Sequence, residues 1–199
     1  LKPQYFVRAC NAGVEIARGE YVILLNNDTE PTAGWIDTLL DAFDRFENVG
    51  LTGSKLLYMD GSLQDAGGIV WDNGEPSNYG NRLNPWEPQF SYARQVDYLS
   101  GASLMTTKAI WDQVGGFSKC FEPMYFEDTD FSFKVRELGF KTWFVPSSIV
   151  YHYEGATSGT DIGQGLKRYQ EINQPKFQKK WEIEFKDFGK YGHLPDIEK

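Results

Sequence analysis

Residues 21–31 read YVILLNNDTEP, an apolar run that stops at a row of polar side chains. The run Tyr21–Leu25 predicts a strand buried on both faces of a mixed, mostly parallel sheet. In α/β proteins, ligands bind at the carboxyl ends of such strands. The oxygen-rich residues up to Pro31 suit a divalent cation with a phosphate, and they equally suit a capped turn. The stretch by itself leaves both interpretations open.

Helices and strands alternate around this run, which indicates an α/β fold with helices covering the sheet. We expect one domain over residues 1–160 and a helical extension over 161–199 that packs on it. Residues 71–95, rich in Asn, Gly and Pro, predict a long irregular excursion. Periodicity and end signals predict helices over 6–18, 35–46, 109–114, 127–138 and from 164 onward, and strands over 49–57, 96–99, 103–106, 141–145 and 148–151.

The composition excludes several classes of protein. With 41% apolar and 16% aromatic residues the chain is globular, and its net charge of −8 argues against a nucleic-acid partner. The two cysteines show no metal-ligand spacing, and a reducing, cytoplasmic compartment is expected. No apolar run approaches the ~18 residues that a membrane span needs. An acidic chain still binds a nucleoside diphosphate when a metal bridges the two.

A second polar cluster, YFEDTD at 125–130, places three carboxylates where a helix should begin. Acidic side chains there complement the helix dipole without any further function. The aromatic residues before them would also raise a carboxyl pKa and suit one carboxylate to act as a base. His152, at the end of a strand, is a packed residue or a metal ligand. His193 lies in a polar tail and is expected to take no part.

Taken in order, these segments resemble the GT-A fold nucleotide-sugar glycosyltransferases. The resemblance is to the inverting enzymes of family 2, of the rhamnosyltransferase, O-antigen and cell-wall polysaccharide type. It covers residues 10–159. It rests on NAG at 11–13, NNDTEP at 26–31, GSKLLY at 53–58, QDAGG at 64–68, DYLSGA at 97–102, VGGF at 114–117, YFEDTD at 125–130 and His152.

The resemblance implies a Rossmann-like nucleotide-diphospho-sugar transferase domain with a metal and donor site. Asn26, Asn27 and Asp28 take the DxD-type position and would contact the donor. Asp28 and His152 would hold Mg²⁺ or Mn²⁺ against a UDP-, dTDP- or GDP-sugar. Asn26 departs from the usual Asp of that triplet.

The resemblance also implies a catalytic base and an acceptor site. Asp128 would take the proton of an acceptor hydroxyl, and Glu127 is the residue that could exchange roles with it. The acceptor would be a saccharide or a lipid-linked saccharide, at the inner face of a membrane with which the protein associates peripherally. The residues implied to contact it are Ser100, Gly101, Ala102, Glu127 and Asp130. The aromatic-rich loop adds Trp86, because aromatic faces stack on sugar rings, although such side chains equally suit ordinary loop packing.

Two further departures from the family pattern bear on function. Ser118-Lys119 stands where the family usually has an acidic pair, which affects a local acceptor contact. No segment before Leu1 supplies the family's first strand, so we expect an N-terminally truncated domain, and this departure gives rise to a second hypothesis. A non-catalytic sugar- or metal-binding module that keeps the fold is therefore the alternative function. Metal-dependent phosphoester hydrolysis would need more carboxylate or histidine ligands than the sequence offers.

Overall fold

The computed structural model describes residues 5–153 and 165–190. Among them, seven strands form one mixed sheet, two form a small hairpin, and helices flank the sheet. The helices are α1 (Phe6–Ile16), α2 (Trp35–Arg45), α3 (Lys108–Val114), α4 (Glu127–Glu137) and α5 (Tyr169–Lys180). The strands are β1 (Tyr21–Leu25), β2 (Thr29–Pro31), β3 (Val49–Leu57), β4 (Leu63–Asp65), β5 (Gly68–Val70), β6 (Pro76–Asn78), β7 (Arg94–Gln95), β8 (Ser103–Thr107) and β9 (Lys141–His152).

The sheet has the order β1-β8-β3-β9-β2, with β4 on β3 and β7 on β9. The long central pair, β3 with β9, is parallel, and the other described pairs are antiparallel. The expectation of a mixed α/β sheet flanked by helices is confirmed; of its expected mostly parallel pairing, the described residues show the central β3–β9 pair. Burial of β1 on both faces is only partial: Val22 and Leu24 are buried, whereas Leu25 is 40% exposed. The reason is that β1 lies at the end of this order, where fewer atoms cover it.

Pro146 does not split the last strand as the sequence predicts. β9 continues across it, and the β3–β9 register shifts so that Ser54 pairs with Val145 and Lys55 with Ile149. A proline has no N–H to give to the ladder, so the chain bulges past it and pairing resumes.

The region from 71 to 99 differs from its prediction in two ways. Part of the expected excursion is ordered as the β5–β6 hairpin and the short strand β7. The predicted strand over 96–99 is absent, and Tyr98 makes a single bridge to Gly68. A Cβ on Gly68 would stand 2.0 Å from the Tyr98 ring, so this close packing requires glycine.

α5 and the residues that follow it pack on the rest of the molecule through aromatic side chains. Phe177 of α5, and Trp181 and Phe185 beyond its end, are buried against Phe133 of α4 and neighbouring rings. These three side chains are therefore occupied inside the protein. The domain division at 160/161 stays a prediction, and His193 lies outside the described residues. Nowhere in the described ranges does a helix combine the length and apolarity needed to cross a bilayer.

Candidate active site

A cleft of about 240 Å³ opens where β1 and β9 end and α4 begins. It brings together side chains from distant parts of the sequence, from Phe6 to Gln170. Strand ends from one side and a helix N-terminus from the other give it two chemically different walls. The predicted site residues that line it are Asn26, Asp28, Ser100, Gly101, Ala102, Glu127, Asp128 and His152.

The first wall is the turn that follows β1. The Thr29 hydroxyl donates to the Asn26 carbonyl at 2.7 Å, and the Tyr153 amide donates to the Asp28 carbonyl at 2.9 Å. The turn is thus closed by local bonds and tied to the end of β9, where Thr29 pairs with His152. The two interpretations of this stretch are compatible, because the capped turn is what directs Asp28 into the cleft.

His152 lies between three polar side chains. Its Nδ1 is 2.9 Å from the Gln64 amide oxygen, and its Nε2 is 3.3 Å from Asn26 Nδ2 and 3.4 Å from Asp28 Oδ1. An amide oxygen only accepts, so Nδ1 carries the proton, and Nε2 is left unprotonated to accept from the Asn26 amide beside the Asp28 carboxylate. An imidazole nitrogen and a carboxylate oxygen at this distance could share a cation once it displaces the Asn26 N–H.

This donor set fits a divalent metal with few protein ligands. Carboxylate oxygen and imidazole nitrogen both suit Mg²⁺ or Mn²⁺. Within residues 5–153 and 165–190, no group of three or more His, Cys, Asp or Glu side chains could hold a metal ion. Asp28 and His152 would therefore hold the ion together with substrate phosphates or water, as is usual for Mg²⁺ in nucleotide enzymes.

The second wall is the start of α4, where Asp128 is held by N–H donors. Its Oδ2 accepts from the Gly101 amide at 2.9 Å and its Oδ1 from the Thr129 amide at 2.7 Å. Burial raises the pKa of this carboxyl, and the same N–H groups oppose that rise. The result is a partly exposed carboxylate with a fixed orientation and a raised basicity.

Glu127 differs from its neighbour. It is only 4% exposed, and its Oε2 has no hydrogen-bond partner among the described residues. Burial, and then the charge of Asp128, raise its pKa well above the ordinary value. Glu127 is therefore suited to stay protonated, which leaves Asp128 as the carboxylate able to accept a proton.

The segment before α4 adopts an uncommon backbone. Tyr125 and Phe126 have φ of 74° and 72°, a left-handed conformation that costs bulky residues about 1–3 kcal/mol each. The buried side chain of Asn173, on α5, donates to the Met124 carbonyl at 2.9 Å and to the Tyr125 carbonyl at 3.1 Å. The C-terminal helix thus supports the turn that presents Asp128.

The comparisons with known proteins agree with this geometry. Residues 2–107 match the family model described as Glycosyl transferase family 2. The chain belongs to this family. The resemblance stated from the sequence is confirmed.

Curated relatives of the family 2 chain include two with descriptive names. It is 30% identical to an N-acetylglucosaminyl-diphospho-decaprenol L-rhamnosyltransferase of Mycobacterium tuberculosis, over 74% of this chain and 51% of that protein. It is 27% identical to the O-antigen biosynthesis protein RfbC of Myxococcus xanthus, over 76% of this chain and 12% of that protein. An uncharacterised protein of Sinorhizobium fredii, y4gI, is 31% identical over 94% of this chain and 21% of its own length. The chain thus spans about half or less of these relatives.

A solved structure shows the fold. GalNAc-T7, crystallised with UDP, GalNAc and Mn²⁺, superposes with a TM-score of 0.67 at 17% identity, over 92% of this chain and 37% of that one. The expected GT-A fold is confirmed.

Three predicted site residues of the family 2 chain lie outside the cleft. Asn27 is exposed at the tip of the turn, and Trp86 is 62% exposed over the Lys55 ammonium. Asp130 is fully buried, and its carboxylate accepts from Trp181 Nε1 at 2.9 Å and from Lys180 Nζ at 2.6 Å. These bonds fasten α4 to α5 and hold the Asp130 carboxylate outside the cleft.

The cleft also contains residues that the sequence did not point to. Gln64 and Tyr98 belong to segments that carried the family resemblance, but the sequence assigned them no role. Lys167 and Gln170 come from the C-terminal segment, and no local pattern connects that segment with the cleft. The missed lining residues include Gln64, Asn78, Tyr98, Met124, Lys167 and Gln170.

Asp65, next to Gln64, gives a prediction about stability. It is 2% exposed, its Oδ1 has no partner among the described residues, and burial raises its pKa to about 7. The unfolded chain loses this proton near pH 3.9, so between pH ~4 and ~7 rising pH lowers the stability of the native protein. We expect Asp65→Asn to remove this loss.

The measurement is the free energy of unfolding of both proteins from pH 4 to pH 8. The variant should gain on the order of 3 kcal/mol relative to the parent across that range, and the gain should level off above pH ~7. A difference that is independent of pH would show that Asp65 ionises normally in the folded protein.

Proposed function

We propose that this chain belongs to the catalytic domain of a metal-dependent inverting glycosyltransferase. It would move a sugar from a nucleotide-diphosphate donor to a saccharide or lipid-linked acceptor in polysaccharide or O-antigen type biosynthesis. The observation that carries the proposal is that the Asp28–His152 pair and the Asp128 carboxylate line the same cleft.

The donor side of the proposal rests on the turn after β1. Asp28 and His152 would hold Mg²⁺ or Mn²⁺, with the Asn26 amide beside them at 3.3 Å from His152 Nε2. When bound, the ion neutralises the charge that develops on the departing nucleoside diphosphate. With that charge neutralised, the departing diphosphate needs no general acid to protonate it.

The acceptor side rests on the start of α4. An acceptor hydroxyl would lose its proton to Asp128 as its oxygen bonds to the anomeric carbon and the bond from that carbon to the diphosphate oxygen breaks. One displacement from the opposite face inverts the anomeric configuration. The neutral Glu127 would donate a hydrogen bond to the acceptor, next to the 100–102 loop that holds Asp128.

The cellular setting is part of the same proposal. Nucleotide sugars and lipid-linked acceptors would meet on the cytoplasmic face of a membrane, where the protein would associate peripherally. No nucleic-acid partner is proposed. The name of the Mycobacterium tuberculosis relative, which refers to a decaprenol-linked substrate, supports a lipid-linked acceptor.

The direct test is transfer by the whole protein that contains this chain. UDP-, dTDP- and GDP-sugars would be offered with Mn²⁺ and with saccharide or polyprenyl-diphosphate-linked acceptors, and the anomeric configuration of the product read by NMR. We expect transfer with inversion from one donor. Donor binding without transfer to any acceptor would support the non-catalytic module instead.

The metal site gives a second prediction. We expect Asp28→Asn to weaken Mn²⁺ binding and to slow transfer by roughly 100-fold, because a bound ion contributes several kcal/mol to stabilising the leaving group. Mn²⁺ binding would be followed by electron paramagnetic resonance in the presence of the donor nucleotide. Asp37→Asn, an exposed substitution on α2, is the matched control. Equal Mn²⁺ affinity in the two variants would contradict the site.

A further inference from the structure

β4 contains one residue more than the strand segment it faces. Leu56 pairs with Asp65 and Leu57 pairs with Leu63, so the register shift leaves Gln64 as the extra residue of β4. Bulges of this kind reorient a side chain and are common beside active sites. Gln64 lines the cleft although it is only 2% exposed.

The backbone of this bulge is held in place from outside the sheet. The Asn81 side chain donates from Nδ2 to the Gln64 carbonyl at 3.0 Å and to the Tyr58 hydroxyl at 3.0 Å. Leu57, opposite the bulge, pairs on its other side with Tyr151, the residue before His152. The bulge therefore places the Gln64 carboxamide beside the imidazole at the end of β9.

We propose that Gln64 is a positioning residue that fixes the tautomer and the direction of the His152 ring. Its Oε1 accepts from Nδ1–H at 2.9 Å, which leaves Nε2 unprotonated beside Asn26 Nδ2 at 3.3 Å and Asp28 Oδ1 at 3.4 Å. Partners of this kind orient metal-binding histidines and fix their tautomer. The consequence for metal binding rests on the function proposed above, whereas the tautomer itself does not.

The chemistry of the bond decides which substitutions are informative. Gln64→Leu removes the acceptor at nearly constant volume. Gln64→Glu keeps an acceptor oxygen at the same reach and adds charge, so it should rescue the ring orientation. Gln113→Leu, at an exposed position of α3, is the matched control for adding a leucine.

The first experiment reads the tautomer without any metal. The chain has two histidines, so ¹⁵N NMR of the protein and of a His193→Gln variant assigns the His152 ring. At about pH 8, where an ordinary imidazole is neutral, we expect a protonated Nδ1 and a bare Nε2. That signature should persist in Gln64→Glu and Gln113→Leu and be lost in Gln64→Leu.

The second experiment measures Mn²⁺ binding by electron paramagnetic resonance. Loss of such an outer partner typically weakens metal binding 10–100-fold, and we expect a loss of that size in Gln64→Leu. Gln64→Glu should bind within a few-fold of the parent or more tightly. Circular dichroism and thermal unfolding would verify that each variant is folded.

The outcomes separate this proposal from the proposed function. A protonated Nε2 in the parent protein, or an unchanged ring signature in Gln64→Leu, would overturn the role of Gln64. Full Mn²⁺ affinity in a folded Gln64→Leu, together with a loss in Asp28→Asn, would overturn it and leave the metal site standing. If the parent binds no Mn²⁺ but the ring signature depends on Gln64, the positioning role holds and the metal function fails.

Discussion

Replacing Asp128 by Asn should lower kcat for sugar transfer by about 10²- to 10⁴-fold, the usual contribution of a positioned general base. Asn has nearly the same shape and retains one oxygen for the Gly101 or the Thr129 amide. It has no basic oxygen to take the acceptor proton. Because Asp128 lies on the wall opposite Asp28 and His152, Mn²⁺ and donor binding should remain at the parent level.

The comparison with Glu127→Gln makes this test specific. Burial raises the pKa of Glu127 well above its ordinary value, so the amide resembles the protonated acid already present. We expect a loss of less than about tenfold, a small fraction of what a general base contributes. Steady-state transfer rates and isothermal titration with donor would be measured for both variants. If Asp128→Asn left transfer intact while Glu127→Gln abolished it, the two residues would have the opposite roles.

The pH dependence offers an independent check of the same base. Burial raises the pKa of Asp128, and the base works only when ionised, so kcat should fall as pH drops through that raised value. The acidic limb of the profile should therefore lie above the ordinary aspartate range near pH 3.9. It should disappear in Asp128→Asn.

The sequence predicted those features that depend on local patterns. Helix α2, strand β1 and strand β3 follow from periodicity within a few residues of where they occur. The resemblance to the family, carried by these polar segments in order, implied a common site for Asp28, Asp128 and His152. Asp28, Asp128 and His152 do line one cleft.

What the sequence could not predict depends on contacts between distant segments. Nothing near Gln64 indicates that β4 carries an extra residue, since the register is set by its pairing with β3. Trp86 was predicted to stack on an acceptor sugar, yet its ring lies over the Lys55 ammonium and outside the cleft. Lys55 is far from Trp86 in the sequence, and the register of β4 is decided by the pairing across its turn with β3.

Asp130 shows most clearly why an acidic cluster is hard to interpret from sequence. Its side chain lies one turn from Glu127 on α4, so both seemed available to an acceptor. α5 packs against that part of α4, and there Lys180 Nζ and Trp181 Nε1 donate hydrogen bonds to the Asp130 carboxylate. Only the packing of the C-terminal segment separates the structural carboxylate from the two in the cleft.

Asp130→Ala should therefore lower the free energy of unfolding by about 2–4 kcal/mol, because a buried donor left without its acceptor costs about 1–3 kcal/mol. The substitution leaves the buried Trp181 Nε1 and the Ser118 hydroxyl without their acceptor, and it leaves the Lys180 ammonium without its carboxylate. Chemical denaturation would measure the loss, and hydrogen exchange should show α5 losing protection first.

Asp112→Ala is the matched control for this last prediction, since Asp112 pairs with Lys108 at 2.6 Å on the exposed face of α3. Surface pairs of that kind contribute at most ~1 kcal/mol. Equal losses in the two variants would mean that Asp130 does not hold α5, and its carboxylate would again be a candidate for acceptor binding. A large loss in Asp130→Ala, with Mn²⁺ affinity unchanged in the folded variant, would show that α5 stabilises the wall that carries Asp128 and not the wall that carries Asp28.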